Sequence, residues 1–476
     1  MSHFRAGGLS RRRWALVVVL VVGVILYGWV DESLTLTESV VGRAMYAYTL
    51  FRSIASLVSY EEIERFRRTE CSIYAKLIYG LSSRSGLGLI VEHSIGHGES
   101  QEWTVLSEYE SPEIREMLGD RHWTEVDESG ELTDGISMEM SRRLHKDEVV
   151  VSFIVSKELL ERSAGLRQSL ARPVECSAER FCSDLYFSES RVRVVHESGG
   201  GPASREDGGR ERPGIVIYIH GGGFVFGDMA TYERILQRHA VKLGSSKSPS
   251  VVAYIEYRKS PKWRYPVPLE DVVASISWIH RNAERLGLDP SRLVLVGDSA
   301  GGSLAASSIA SCLSIKQQSE TGKSAAMSRK FHSYCRWVDH VRFLGLIYPA
   351  LCQKCITNSK LKSYRLGFLT LGSLLWFEKQ HQSKYLENYL DWRPQPLLAP
   401  ANILRKFPRT SIVLMKSDIL YDDGRLMYEI LAKLKVKTKL RTFTGFHGTY
   451  GSSWLPGGRD ALEFINDEIS ETMDSL

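Results

Sequence analysis

From Gly214 to the C-terminus the chain alternates short apolar runs with longer segments whose apolar positions recur at three- and four-residue steps. Ile215–Ile219, Val251–Ile255, Arg292–Val296, Leu344–Tyr348, Ser411–Met415 and Lys437–Phe443 have the length and content of strands in a sheet covered on both faces. Tyr232–Leu243 lies between the first two as a helical stretch, and Val272, Ile276, Ile279, Ala283 and Leu286 mark one face of a second helix. Gly287-Leu-Asp-Pro-Ser291 stops that helix and turns the chain into the next strand. This order predicts an α/β fold, a mostly parallel sheet with helices on both faces. Leu185-Tyr-Phe and Arg191–His196 read as additional strands, residues 197–213 as a surface loop rich in Gly and charge, and residues 314–339 as a polar surface insertion.

Upstream the pattern changes. Trp14–Val30 is uncharged, carries tryptophans at or near both ends and follows the basic tail 1–13, with Arg5, Arg11, Arg12 and Arg13. It predicts a transmembrane signal anchor whose N-terminus is cytosolic, because the charges behind it, Asp31, Glu32 and Glu38, are acidic; a cleaved signal peptide is the competing reading, but its shorter apolar core and small-x-small cleavage site are not evident. The bulk of the chain then faces a lumen, that of the endoplasmic reticulum. Val41, Met45, Tyr48, Phe51, Ala55 and Val58 follow helical spacing and make an amphipathic helix, either against a membrane, in a lid, or packed on its own domain. Residues 31–190 as a whole are expected to form a mainly helical cap ahead of a catalytic domain at 191–476.

Composition narrows the function. Of 476 residues 43 % are hydrophobic and 25 % charged, as in an ordinary globular protein, and the net charge of +5 nearly vanishes beyond the N-terminal arginines. A nucleic-acid partner is therefore not expected. The cysteines number 7, so at least one is unpaired within the chain; Cys176/Cys182 and Cys352/Cys355 are candidates for bridges in a lumenal domain. No Asn-x-Ser/Thr sequon occurs, which counts slightly against a lumen. His93 and His97 are four apart, but Ser-Ile-Gly between them makes a poor helix for two ligands, and no metal site is expected.

The chemistry centres on Val294-Leu-Val-Gly-Asp-Ser-Ala-Gly-Gly302. An apolar strand runs into Gly297-Asp-Ser-Ala-Gly301 and then into a helix of small residues, which is the plan of a nucleophile elbow with Ser299 exposed on a tight turn. Upstream, strand Ile215–Ile219 ends in His220-Gly-Gly-Gly-Phe224, where bare N–H groups can approach a ligand closely. Gly221, Gly222 and the N–H of Ala300 are the candidate oxyanion donors, with Gly223 completing the motif.

His-Gly-Gly-Gly with Gly-Asp-Ser-Ala-Gly-Gly resembles the hormone-sensitive lipase family of α/β-hydrolases. Tyr257-Arg258, Ser260-Pro261, Tyr265-Pro266, Leu269-Glu-Asp271, Leu288-Asp-Pro-Ser291 and Ile347-Tyr-Pro349 follow in the family's order, so the resemblance covers about Arg191 to the C-terminus. An acid and then a base are required after the serine. The resemblance places the acid at Asp418, in Lys416–Gly424 after strand Ser411–Met415, with Asp422 and Asp423 as rivals that by the same likeness open the next helix. It places the base at His447, in Thr444-Gly-Phe-His-Gly-Thr-Tyr450. A Ser299–His447–Asp418 triad implies a serine hydrolase of carboxylic esters that works through an acyl-enzyme and needs no cofactor. Anchored relatives, arylacetamide deacetylase and neutral cholesterol ester hydrolase, share the N-terminal plan, which implies lipophilic esters at a membrane. Residues 31–190 are longer than the family's short helical cap, so the likeness does not reach the substrate pocket. Two other readings remain, a silent ligand-binding relative like the plant hormone receptors, which have lost the histidine, and a small-molecule amidase.

Overall fold

The computed structural model describes residues 87–94, 149–163, 165–171, 193–195, 212–320, 334–362, 367, 369–381 and 391–476. The anchor segment 14–30, the amphipathic stretch 37–68, residues 185–187, Cys176, Cys182 and most of the loop 197–213 lie outside them. Among the described residues no helix is long and apolar enough to cross a membrane.

Nine strands form one sheet: β1 (Leu87–Ser94), β2 (Val150–Ser156), β3 (Arg193–Val195), β4 (Gly214–Ile219), β5 (Ser250–Glu256), β6 (Leu293–Asp298), β7 (Val341–Ile347), β8 (Arg409–Ser417) and β9 (Thr438–Phe446). Their order is β3-β1-β2-β5-β4-β6-β7-β8-β9. From β5 to β9 every pair is parallel, with Ile215 of β4 opposite both Val251 and Leu293, as the apolar runs predict. Alternate side chains of the central strands enter opposite cores. Ile215, Ile217, Ile219, Leu293 and Leu295 pack with the helices Val267–Asn282 and Ala300–Glu320. Val216, Tyr218, Val294 and Val296 pack with the helices Met229–Gly244 and Pro456–Asp474. Burial on both faces is why these strands read as unbroken apolar runs rather than alternating ones.

Two expectations are corrected. Within the span 31–190, expected as a mainly helical cap, the described strands β1 and β2 belong instead to the main sheet, β2 antiparallel to β5 and β1 between β2 and β3. The cause is visible in β2: Val151, Phe153 and Val155 feed one core and Ile154 the other, so this strand needs cover on both faces. The polar insertion expected over 314–339 is also narrower. Its helix continues to Glu320, a Cys312–Cys335 disulfide brings the chain back to it, and Trp337 is buried. A second disulfide joins Cys352 and Cys355.

Below the glycine-rich loop, a buried ion pair fixes the segment after β5. Arg258 Nη2 lies 2.6 Å and Nε 2.9 Å from Asp271 carboxylate oxygens, with both side chains buried, and the Arg258 N–H donates to the same carboxylate at 2.9 Å. Truncating one partner leaves the other charge buried and alone, which costs about 3–5 kcal/mol. Asp271→Ala is accordingly expected to lower the urea unfolding free energy by about that amount. A loss under about 1 kcal/mol would contradict the pairing.

Candidate active site

Ser299 sits between β6 and the helix Ala300–Glu320 with φ of 53°, a left-handed conformation that a non-glycine residue adopts at a cost. Three backbone bonds hold it: its N–H donates to Ile347 O at 2.9 Å, and its carbonyl accepts from Ser303 at 3.2 Å and Ala350 at 3.0 Å. The flanking glycines are steric. A Cβ on Gly297 would strike the Gly301 carbonyl, and one on Gly301 would strike the Ile219 carbonyl at the end of β4.

The structure brings the three predicted residues together. His447, just past β9, places Nε2 at 2.8 Å from Ser299 Oγ, and its Nδ1–H donates to Asp418 Oδ2 at 2.7 Å. Asp418 Oδ1 accepts the Leu420 N–H at 2.8 Å, so both carboxylate oxygens are used. All three side chains are buried. Tyr348, of the Ile347-Tyr-Pro segment, lays its ring 4.6 Å from the imidazole. The rival acids are committed elsewhere, at the start of the helix Tyr421–Lys433. Asp422 pairs with Arg425 and accepts the Ser359 N–H, while Asp423 pairs with buried Lys360 at 2.8 Å and accepts the Leu351 and Cys352 N–H groups.

The oxyanion side differs from expectation at one residue. The Gly221 N–H, expected as an oxyanion donor, donates to Asp298 Oδ1 at 2.9 Å and to Tyr232 Oη at 3.0 Å. It is committed because the carboxylate of the residue before the nucleophile lies against it. Gly222 and Ala300 remain from the predicted set. Gly222 and Gly223 have φ of 105° and 63°, and a Cβ would strike the Phe226 carbonyl at the first and the Phe377 ring at the second, so the loop requires glycine at both. His220 is structural: its ring stacks on Tyr257 at 4.2 Å, its Nδ1–H donates to Gly221 O, and burial holds it neutral well below the usual imidazole range.

Several residues of the site escape sequence reasoning. Helix Leu371–His381 packs on the glycine loop, with Phe377 against Gly223 and His381 stacked on Phe224 at 3.8 Å. Val225, Ala350, Leu369, Leu374, Phe377, Ile419 and Leu420 form one apolar cluster joining that helix to the glycine loop and to the residues after Asp418. Asp298 is the other omission, and its only sequence signal is its place inside the elbow.

Residues 216–450 match the family described as alpha/beta hydrolase fold. Among solved structures, a thermostable esterase from Pseudomonas putida aligns over 90 % of this chain and 96 % of its own, with 16 % identity and a TM-score of 0.54, which shows the shared fold. Carboxyl esterase 2 of Tuber melanosporum is 22 % identical over 69 % of this chain and 84 % of its own, with a TM-score of 0.49. An esterase from Pyrobaculum calidifontis is 28 % identical over 56 % and 78 %, with a TM-score of 0.45. The family match and the shared architecture show that the chain has an α/β-hydrolase fold.

Asp298 also gives the site a pH signature. Burial raises its pKa to about 6, partly offset by hydrogen bonds from Tyr232, Tyr218 and Gly221. The folded chain therefore holds this proton at pH values where the unfolded chain has released it, and stability falls as pH rises from about 4 through 6. Asp298→Asn cannot ionise, so its unfolding free energy relative to the parent should shift in the variant's favour by about 3 kcal/mol between pH 4 and 7. A difference that stays flat across that range would remove the assignment.

Proposed function

We propose that the chain is a membrane-anchored serine esterase that cleaves lipophilic carboxylic esters through Ser299, His447 and Asp418. One observation carries the reading: an unbroken hydrogen-bond chain from Ser299 Oγ through His447 to Asp418, beside a glycine loop. In this mechanism His447 Nε2 takes the Ser299 proton as the oxygen attacks the ester carbonyl, and Asp418 holds the imidazole in the tautomer that leaves Nε2 free. The negative oxygen of the tetrahedral intermediate rests on N–H groups of Gly222, Gly223 and Ala300. Collapse releases the alcohol with the proton from His447. Water then attacks the acyl-Ser299 ester by the same route and frees the acid.

The apolar cluster around Phe377, and an aromatic pair formed by Phe226 and Trp376 with ring centroids 6.0 Å apart, favour an apolar acyl or alcohol group over a charged one. The segment Trp14–Val30 supports anchoring, with the catalytic domain on the lumenal side of the endoplasmic reticulum. Disulfides at Cys312–Cys335 and Cys352–Cys355 favour an oxidising compartment, in keeping with that side. The anchor plan shared with arylacetamide deacetylase and neutral cholesterol ester hydrolase points the same way.

Detergent-solubilised full-length chain should hydrolyse p-nitrophenyl esters in a series from acetate to palmitate, and the chain-length optimum will size the pocket. Ser299→Ala should abolish turnover, and Asp418→Asn should lower kcat by about 10⁴-fold by allowing the wrong imidazole tautomer. Turnover that survives Ser299→Ala, or a folded chain that binds but cleaves no ester, would replace this reading with that of a silent binder. Faster cleavage of aryl acetamides than of matched esters would make it an amidase.

A further inference from the structure

Asp298 stands immediately before the nucleophile, yet its carboxylate is turned to the glycine loop. Oδ1 accepts the Gly221 N–H at 2.9 Å and the Tyr218 hydroxyl at 3.1 Å, and Oδ2 accepts the Tyr232 hydroxyl at 2.9 Å. Tyr232 Oη in turn accepts from the same Gly221 N–H at 3.0 Å, so the first glycine of the loop is held between two acceptors. The residue before it is fixed as well, since the Tyr257 hydroxyl donates to His220 O at 2.9 Å and its ring stacks on the imidazole. A Cβ at Gly221 would collide with the Asp298 side chain, which gives this glycine a steric reason distinct from donating to a substrate.

Burying a carboxylate among neutral donors is costly, and a turn between a strand and a helix does not itself need one. The cost makes sense if the contact sets something that catalysis requires. Gly221 is followed at once by Gly222 and Gly223, whose left-handed conformations orient the loop's next N–H groups. Any slack at Gly221 passes directly to them. A donor that misses the developing oxyanion loses most of its value, since deleting one typically costs 10²–10³ in kcat.

We propose that Asp298 is a positioning residue that clamps Gly221 to the nucleophile elbow and so aims the Gly222 and Gly223 N–H groups at the oxyanion formed on a substrate bound to Ser299. This inference rests on the serine-esterase reading. Asp298 touches no reacting atom; it acts through the loop. Tyr232 and Tyr218 share the role by holding the carboxylate in place.

The test compares Asp298→Ala, Asp298→Asn and Tyr232→Phe in the full-length chain with the parent and with Ser299→Ala. Turnover in the parent that is lost in Ser299→Ala first secures the underlying reading, and active-site titration counts competent sites in each variant. Asp298→Ala is expected to lower kcat by about 100-fold with KM changed less than about threefold, and to weaken inhibition by a trifluoromethyl ketone, which forms a tetrahedral adduct, in the same proportion. Asp298→Asn keeps an acceptor for Gly221 and should restore kcat to within about tenfold of the parent. A second readout needs no turnover: hydrogen exchange over residues 220–226 should accelerate in Asp298→Ala and not in Asp298→Asn. Unchanged exchange, a loss confined to KM, or an Asn variant as damaged as the Ala variant would overturn the proposal. Should Asp298→Ala fail to fold, Tyr232→Phe removes one of the two acceptors on Gly221 and is expected to lower kcat several-fold with KM unmoved; no change in kcat there would overturn it equally. An inactive parent with exchange altered as expected would leave the clamp standing and remove the esterase reading.

Discussion

The left-handed turn at Ser299 is the constraint on which the rest of the molecule depends. A serine in this conformation is strained, and the strain persists only because the surroundings over-determine it. Ser299 is tied by its own N–H and carbonyl to Ile347, Ser303 and Ala350, while Gly297 and Gly301 allow the elbow helix to touch β4. That close approach places Ser299 at the carboxyl ends of β4, β6 and β7 together. The glycine loop, the acid and the base can then each arrive from a different strand end, as ligand and catalytic groups do in open α/β sheets.

What surrounds the turn is correspondingly rigid. Arg258–Asp271 pins the segment after β5, whose neighbour Tyr257 carries the backbone of His220. On the opposite side, Lys360–Asp423 and the Ser359–Asp422 contact clamp residues 351–360 onto the start of the helix that follows Asp418. Neither pair adds much stability over an apolar equivalent, but each fails badly if halved, which makes them devices for holding one arrangement. The helix Leu371–His381 closes the remaining side through Phe377 and His381. Its apolar contacts with the glycine loop couple the wall of the site to the proposed oxyanion donors.

Much of this is legible in the sequence where local geometry and chemistry coincide. Five apolar runs form strands because central strands of a parallel sheet are buried on both faces, the edge strand β9 alternates exposed Lys439 and Arg441 with half-buried neighbours, and the elbow shows itself because glycine is required at both ends of the turn. Ser299, Asp418 and His447 could be placed because the elbow motif marks the serine and the family resemblance orders the acid and base after it, and the fold brings them from the ends of β6, β8 and β9. The strands β1 and β2 escape the sequence because they lie in stretches whose neighbours carry no turn or motif to frame them. The sequence marks Gly221 as an oxyanion donor because it cannot show that a carboxylate 77 positions away occupies its N–H. Phe377 and His381 belong to a helix with no chemical signature, and only tertiary contact reveals what it covers.

The most direct test of the central claim is to find which atom becomes covalently modified. Treating the full-length chain with a fluorophosphonate and mapping the adduct by peptide mass spectrometry should place one phosphonyl group on Ser299, with ester hydrolysis lost in step with labelling. Asp298, Asp418 and His447 support that one oxygen, so a folded chain that fails to label, or labels elsewhere while Ser299 stays free, would contradict the account.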